Sequence, residues 1–284
     1  MSSEINYASK FSTEIDERFK RASVTDRIIN NNFDFEGVNT VFVFSDDTAE
    51  LNDYTMYGES RYGNPNELGN HVQKMKLTQD KAFTFTIDSR YNSDTLMTQH
   101  AGRCLQREID EVIIPTIDKY RLEKIAEAAT VRVITDPAVD KFYEYFLEVN
   151  AELTEKNVPL DGRVAFITPK THLKIKMNKN YTGLGDKALE IAQTGNAYKI
   201  DGVDIIVVPS SYLPANTEAL ITHPCAMVSP IKLAEYKIHK DPPGINGWLV
   251  EGRLYYDAFI LNNKMDAIAL LRSLTDESEE PETT

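Results

Sequence analysis

The stretch from Ser93 to Ala129, SDTLMTQHAGRCLQREIDEVIIPTIDKYRLEKIAEAA, constrains the fold more than any other part of the chain. Leu96, Cys104, Leu105, Ile109, Val112, Ile113, Ile117, Tyr120, Ile125 and Ala126 recur mostly three and four residues apart, the pattern of an amphipathic helix with one apolar stripe. Ser93 is placed to cap the helix, and Asp94 falls in the first turn, where the positive end of the helix dipole favours a carboxylate. At 1.5 Å per residue such a helix is on the order of 50 Å long. A compact domain of this size does not need that length, and no heptad repeat accounts for it. Pro115 lacks an N–H and crowds the preceding turn, so a kink, or two helices in near-register, is expected there. The helix reads as a spine to which the rest of the chain attaches.

The remainder divides around it. Residues 1–35 form a charged helical arm in which Tyr7, Phe11, Ile15 and Phe19 are spaced by four, a stripe too narrow to be a core. Residues 36–92 hold two expected strands, Asn39–Ser45 and Ala82–Asp88, the second with Phe83, Phe85 and Ile87 on one face. Between them lie over thirty residues with Gly58, Gly63, Pro65 and Gly69. Loops beyond about 15 residues are uncommon in compact domains. Tyr54, Tyr57, Arg61 and Tyr62 sit in the middle of this one, residue types enriched where protein surfaces meet. Composition leaves two readings open, a floppy surface loop or an extended hairpin that packs on another subunit.

Residues 93–130 are the spine, and residues 131–229 read as an α/β domain. A helix is expected over Pro137–Lys156, with Val139, Phe142, Phe146, Val149 and Leu153 on its inner face. A buried strand, RVAFITP, and a short helix, THLKIKM, follow. KALEIAQTG reads as a further helix, and VDIIVVP and ALITHPCAMVSP as strands of a sheet covered on both faces. Residues 230–276 return to β structure, with a Pro242–Pro243–Gly244 turn, strands over Trp248–Val250 and Leu254–Leu261, and a final strand AIALL. Residues 277–284 are acidic, without hydrophobes, and expected to be disordered.

Chemistry is sparse. Gly183-Leu184-Gly185-Asp186-Lys187-Ala188 has the spacing of a dinucleotide fingerprint, but a poor strand precedes it and no acidic residue ends a second strand twenty residues on. His100 with Cys104, and His223 with Cys225, could be imagined as a mixed zinc site, although no ligand spacing of a known zinc motif is present. No nucleophile elbow or Walker A loop occurs, and paired carboxylates such as Asp46 and Asp47 read as solvated charge. No catalytic residue, cofactor or metal is therefore expected. No run of 18 apolar residues crosses a membrane, and the polar first residues lack the apolar core of a signal peptide. The 31 Lys and Arg against 44 Asp and Glu leave a net charge of −13, the wrong sign for gripping a phosphate backbone.

The order of parts resembles the major capsid proteins of tailed bacteriophages, the Hong Kong 97-type shell fold. Phrases that carry the resemblance are NYASKFSTEIDERF, FEGVNTVFVFSDDTAELNDYT, RYGNPNELGNHVQKMKLTQDKAFTFTID and IDEVIIPTIDKYRL, and it covers almost the entire chain. It implies an α+β shell subunit with N-terminal arm, extended hairpin loop, long spine helix, peripheral domain and an axial domain over residues 131–229. Such a subunit assembles with itself as hexamers and pentamers into an icosahedral shell in the host bacterial cytoplasm and resides in the virion, enclosing DNA without specific binding. Arm and hairpin would reach neighbours, which makes Tyr7, Phe11, Phe19, Tyr54, Tyr57, Arg61 and Tyr62 expected inter-subunit contacts, and Pro115 the expected bend in the spine. Only about 35 residues precede the first strand, so a separate scaffolding protein is expected beside a portal and a decoration protein. No crosslink is expected of Lys74, Lys76 or Lys81. Two alternatives remain at this point, an encapsulin-like nanocompartment shell with the same fold and a small soluble α/β enzyme with a nucleotide or zinc site.

Overall fold

The structure is a computed structural model that describes residues 23–30, 40–46, 48–49, 51–58, 60–65, 67–90, 101–134, 139–178 and 199–273. The expected arm stripe Tyr7, Phe11 and Phe19, the start of the spine at Ser93, His100, the Gly183–Ala188 turn and the acidic tail all lie outside these residues.

The described spine runs without interruption through α1 (Ala101–Glu108), a π-helical turn (Ile109–Ile113) and α2 (Ile114–Ala128). Pro115 explains the wide turn, because it has no N–H to offer the carbonyl four residues back. The Ile114 amide instead reaches five residues back to the Ile109 carbonyl, and the Thr116 hydroxyl donates to the Val112 carbonyl at 2.6 Å. An extra residue per turn rotates the apolar stripe. Val112, counted in the stripe from its spacing, is exposed, whereas Leu122, which the spacing passed over, is fully buried beside Ile113, Ile117, Ile125 and Ala126.

Three sheets attach to this helix. In the first, β1 (Thr40–Asp46) and β2 (Asn70–Lys76) pair antiparallel as a two-stranded ribbon. The strand β2 gave no apolar alternation in NHVQKMK, so the sequence left its place to a loop. The second sheet has the order β10-β11-β3, all antiparallel, from β3 (Gln79–Asp88), β10 (Ile231–Lys240) and β11 (Gly247–Tyr256). The expected break between Val250 and Leu254 is absent: β11 continues through Gly252. A side chain at Gly252 would collide with the Phe83 and Tyr236 rings of the flanking strands, so glycine keeps the ladder flat beneath two aromatics.

The third sheet takes the order β4-β13-β8-β5-β7-β6, built from β4 (Thr130–Ile134), β5 (Val164–Ile167), β6 (Lys199–Ile200), β7 (Val203–Val207), β8 (Thr217–Thr222) and β13 (Ala269–Ser273). The β13–β4 and β5–β7 pairs are parallel and the others antiparallel. The last described strand is thus inserted between β4 and β8, joining the chain's end to its middle. Against the sheet lies α3 (Val139–Glu155), burying Phe142, Phe146, Val149 and Leu153, followed by α4 (Pro169–Met177), which is capped by Thr168. A small pair, β9 (Met227–Val228) with β12 (Phe259–Ile260), closes the corner between the sheets.

The spine serves two cores. Ile113 and Ile117 pack with Leu254 and Tyr256 of β11, where the Tyr120 and Tyr256 rings meet edge to face at 5.7 Å. One turn further on, Leu122, Ile125 and Ala126 belong to the core of the six-stranded sheet. Position along the spine therefore predicts cost. Ile117→Ala should lose about 2–4 kcal/mol in urea denaturation, while Ile109→Ala, at a half-buried site, should lose less than half of that.

Candidate assembly surface

The ribbon and its connection hold the most exposed large hydrophobics of the described chain. Phe42, Phe44 and Val72 lie on one face of the ribbon, since Phe44 stands opposite Val72 and Phe42 opposite Lys74, whose ammonium sits 6.0 Å from the Phe42 ring. Val43 points the other way, into a small cluster with Met75, Leu77, Val228 and Leu261. Gln73 ties this inner face down by donating to the Ile260 carbonyl at 2.7 Å and accepting from the Asn262 amide at 3.0 Å. The ribbon is thus anchored on one face and presents aromatic rings on the other.

The connection beyond it is folded back on itself. The Thr55 amide donates to the Arg61 carbonyl, the Gly63 amide to the Ser60 carbonyl, and the Arg61 guanidinium to the Gly58 carbonyl at 3.3 Å. Gly58 and Gly63 adopt the positive φ that these turns require. The Tyr54 and Tyr62 rings meet edge to face at 5.1 Å, yet Tyr57 is 88% and Tyr62 83% exposed. Leu51, Met56 and Leu68 are exposed as well. Exposed large apolar side chains of this kind are concentrated here among the described residues.

Where residues 23–26 and the end of the ribbon approach the spine, the chain is held by a buried polar network that the sequence did not announce. Asp118, 2% exposed, accepts from the Ser23 hydroxyl (2.8 Å), the Val24 amide (3.0 Å) and the Thr25 hydroxyl (2.5 Å). Arg121, 3% exposed, donates to the Thr25 hydroxyl (3.0 Å), to Asp26 (2.8 Å) and to the Ser229 hydroxyl (2.9 Å). Asp257 accepts from the Thr78 amide and hydroxyl, both at 2.8 Å, from the Ala258 amide and from the Tyr120 hydroxyl at 2.7 Å. Burial and the Asp257 carboxylate together push the Tyr120 phenol well above its ordinary range, so it stays a donor. In sequence, this carboxylate and guanidinium three residues apart look like any solvent-facing pair on a helix.

Of the other candidate sites, only His223 with Cys225 lies wholly within the described residues. No group of three or more His, Cys, Asp or Glu able to hold a metal occurs among the described residues. His223 accepts from the Cys225 amide at 3.2 Å and lies 3.0 Å from the Asp161 carbonyl, a turn-closing role. Burial raises the thiols of Cys104 and Cys225, the direction opposite to an activated nucleophile. No described helix is long and apolar enough to cross a membrane.

No family model and no curated protein matches the sequence. Solved structures do. A chain from Mycobacterium phage Che8 superposes with a TM-score of 0.75 at 14% identity, covering 93% of this chain and 96% of that one. A chain from the capsid of the cyanophage P-SCSP1u gives 0.74 at 13% identity, covering 95% and 93%. A chain of a virus-like particle from Pyrococcus furiosus gives 0.54 at 13% identity, covering 88% and 92%. The alignments run over nearly the whole length of this chain and of the phage chains, and the protein has the phage capsid fold that its sequence resembles.

Proposed function

We propose that this chain is the major capsid protein of a tailed bacteriophage, a structural subunit that assembles with itself as hexamers and pentamers into the icosahedral shell enclosing double-stranded DNA. The supporting observation is the mutual coverage: over nine-tenths of this chain and of the phage chains align. The exposed aromatic ribbon and loop supply the apolar contacts that large obligate interfaces need. The net charge of −13 suits a wall that encloses DNA without adhering to it. A separate scaffolding protein, a portal and a decoration protein are the partners this reading entails, with assembly in the host cytoplasm and residence in the virion. Pro115 and the π-turn before it are the proposed place where the spine bends between particle states. Electron microscopy of the chain expressed with its neighbouring genes tests the proposal: closed particles built of capsomers are expected, and a persistent monomer would refute it.

An encapsulin-like nanocompartment is the second reading, favoured by the Pyrococcus furiosus particle and ranked lower by its TM-score of 0.54. Adjacent portal and terminase genes go with the first reading, an adjacent ferritin-like or peroxidase gene with the second.

A triple replacement of Tyr57, Arg61 and Tyr62 by Ala separates surface from core. These side chains are exposed, so the melting temperature of the unassembled chain should stay within about 2 °C, while particle yield falls several-fold. A collapse of the melting temperature would mean that the loop packs on its own subunit.

A further inference from the structure

The buried network does more than hold two segments separately, because its bonds join end to end. Thr25 bonds both Asp118 and Arg121; Arg121 donates to the Ser229 hydroxyl; that hydroxyl donates to the Asp257 carbonyl at 2.9 Å; and the Asp257 carboxylate holds Thr78 and Tyr120. One end of this chain fixes residues 23–26. The other end fixes the Leu77–Gln79 corner that joins the ribbon to β3. Asp118, Tyr120 and Arg121 project from a single turn of one helix, so a shift at one end of the chain of bonds is felt by the helical turn that carries the other. Each link is largely dry, with Asp118, Arg121, Ser229 and Asp257 all under 9% exposed, which makes a broken bond costly rather than replaceable by solvent.

We infer that this chain of hydrogen bonds couples the position of residues 23–26 to the position of the ribbon root, so that engaging either one biases the other. The coupling itself is a property of the single chain; only its consequence, that a neighbour seated on the ribbon alters how residues 23–26 are held, rests on the shell role proposed above. Two backbone amides report the two ends directly, since the Val24 amide donates to Asp118 and the Thr78 amide to Asp257.

Amide hydrogen exchange on the unassembled chain tests this, with the Phe166 amide in the centre of the six-stranded sheet as the reference for global unfolding. In Asp118→Asn the Thr78 amide should exchange about five-fold faster or more, relative to Phe166, although it does not touch residue 118. In the reverse direction Thr78→Val, which removes only a hydroxyl, should accelerate Val24 by a comparable factor, because coupling is reciprocal. Ser229→Ala cuts the middle link, and in that background Asp118→Asn should leave Thr78 unchanged. Three results would each overturn the inference: Thr78 at its wild-type rate in Asp118→Asn, Thr78 still responding when Ser229 is Ala, or all three amides rising together. Should Asp118→Asn fail to fold, Thr25→Val breaks the same end with a smaller change. Failure of this experiment leaves the shell role standing, and failure to form particles leaves the coupling standing.

Discussion

Arg163→Met is expected to remove about 3–6 kcal/mol of stability, among the largest effects of any single replacement in the chain. Arg163 is 1% exposed and has no carboxylate ion-pair partner among the described residues; burial pulls its guanidinium below the ordinary range, with Asp201 opposing at a distance. What holds it is a set of oxygens: the Pro159 carbonyl at 2.9 Å, the Val158 carbonyl at 2.5 Å, the Asn150 carbonyl and side chain at 2.9 and 2.6 Å, and the Thr154 hydroxyl at 3.2 Å. These belong to the end of α3 and the loop that follows. The helix ends in the six-to-one closure of Val158 on Leu153 with Asn157 in the left-handed region, and the guanidinium then plugs the carbonyls this geometry turns inward. Methionine fills the volume but leaves the buried Val158 carbonyl, the buried Asn150 side-chain oxygen and the part-buried Pro159 carbonyl without this donor, while the Asn150 carbonyl keeps the Thr154 hydroxyl; each loss costs about 1–3 kcal/mol. Lysine should rescue less than half of the loss, because its compact ammonium cannot span acceptors that a planar fork reaches together. Urea denaturation of the two variants beside the parent measures both numbers; a loss under about 1 kcal/mol in Arg163→Met would mean the loop reorganises freely.

What the sequence made legible and what it hid follow from the range of the interactions involved. The alternation Phe83, Phe85, Ile87 is local, and β3 carries it on one face as expected. The spacing of Phe142, Phe146, Val149 and Leu153 is equally local, and α3 buries all four. The strand β2 escaped because its pairing energy comes from β1 and from Ile260 and Asn262, nearly two hundred residues away, rather than from its own side chains. Gly252 read as a break because a strand glycine weakens the ladder unless aromatic rings cover it, and those rings are supplied by β3 and β10. The aromatic loop around Tyr57 was visible from residue type alone, whereas the exposed face of Phe42 and Phe44 needed the β1–β2 register to set it apart from Val43. Nothing local identifies Asp118 or Arg121 as buried. Their partners lie 93 to 108 residues away, and on a helical wheel they interrupt the stripe as solvent-facing charges would.

Asp118→Ala is the second large effect expected, about 3 kcal/mol, and its interest lies in where the loss falls. Removing this carboxylate leaves the Ser23 and Thr25 hydroxyls and the Val24 amide without their acceptor, and deprives Arg121 of a carboxylate 4.0 Å away. Breaking a buried charge pair from one side costs about 3–5 kcal/mol in comparable settings. The figure here belongs at the low end, because Arg121 keeps Asp26 and Ser229 as partners. The six-stranded core does not pass through Asp118, so the damage should be concentrated on residues 23–30. That segment is otherwise held by buried Ile28, by the Asn30 amide on the Met227 carbonyl at 2.8 Å, and by the Arg27–Asp204 ion pair, which is exposed and contributes little. Limited trypsin digestion should therefore cut after Arg27 at least ten-fold faster in Asp118→Ala than in the parent, with fragments from the sheet core appearing no earlier. Asp118→Asn keeps the shape and one acceptor oxygen and should fall between the two. Equal cleavage rates after Arg27 in all three proteins would show that Ile28 and Asn30 alone secure the segment, and that the spine's buried carboxylate has no part in holding residues 23–30.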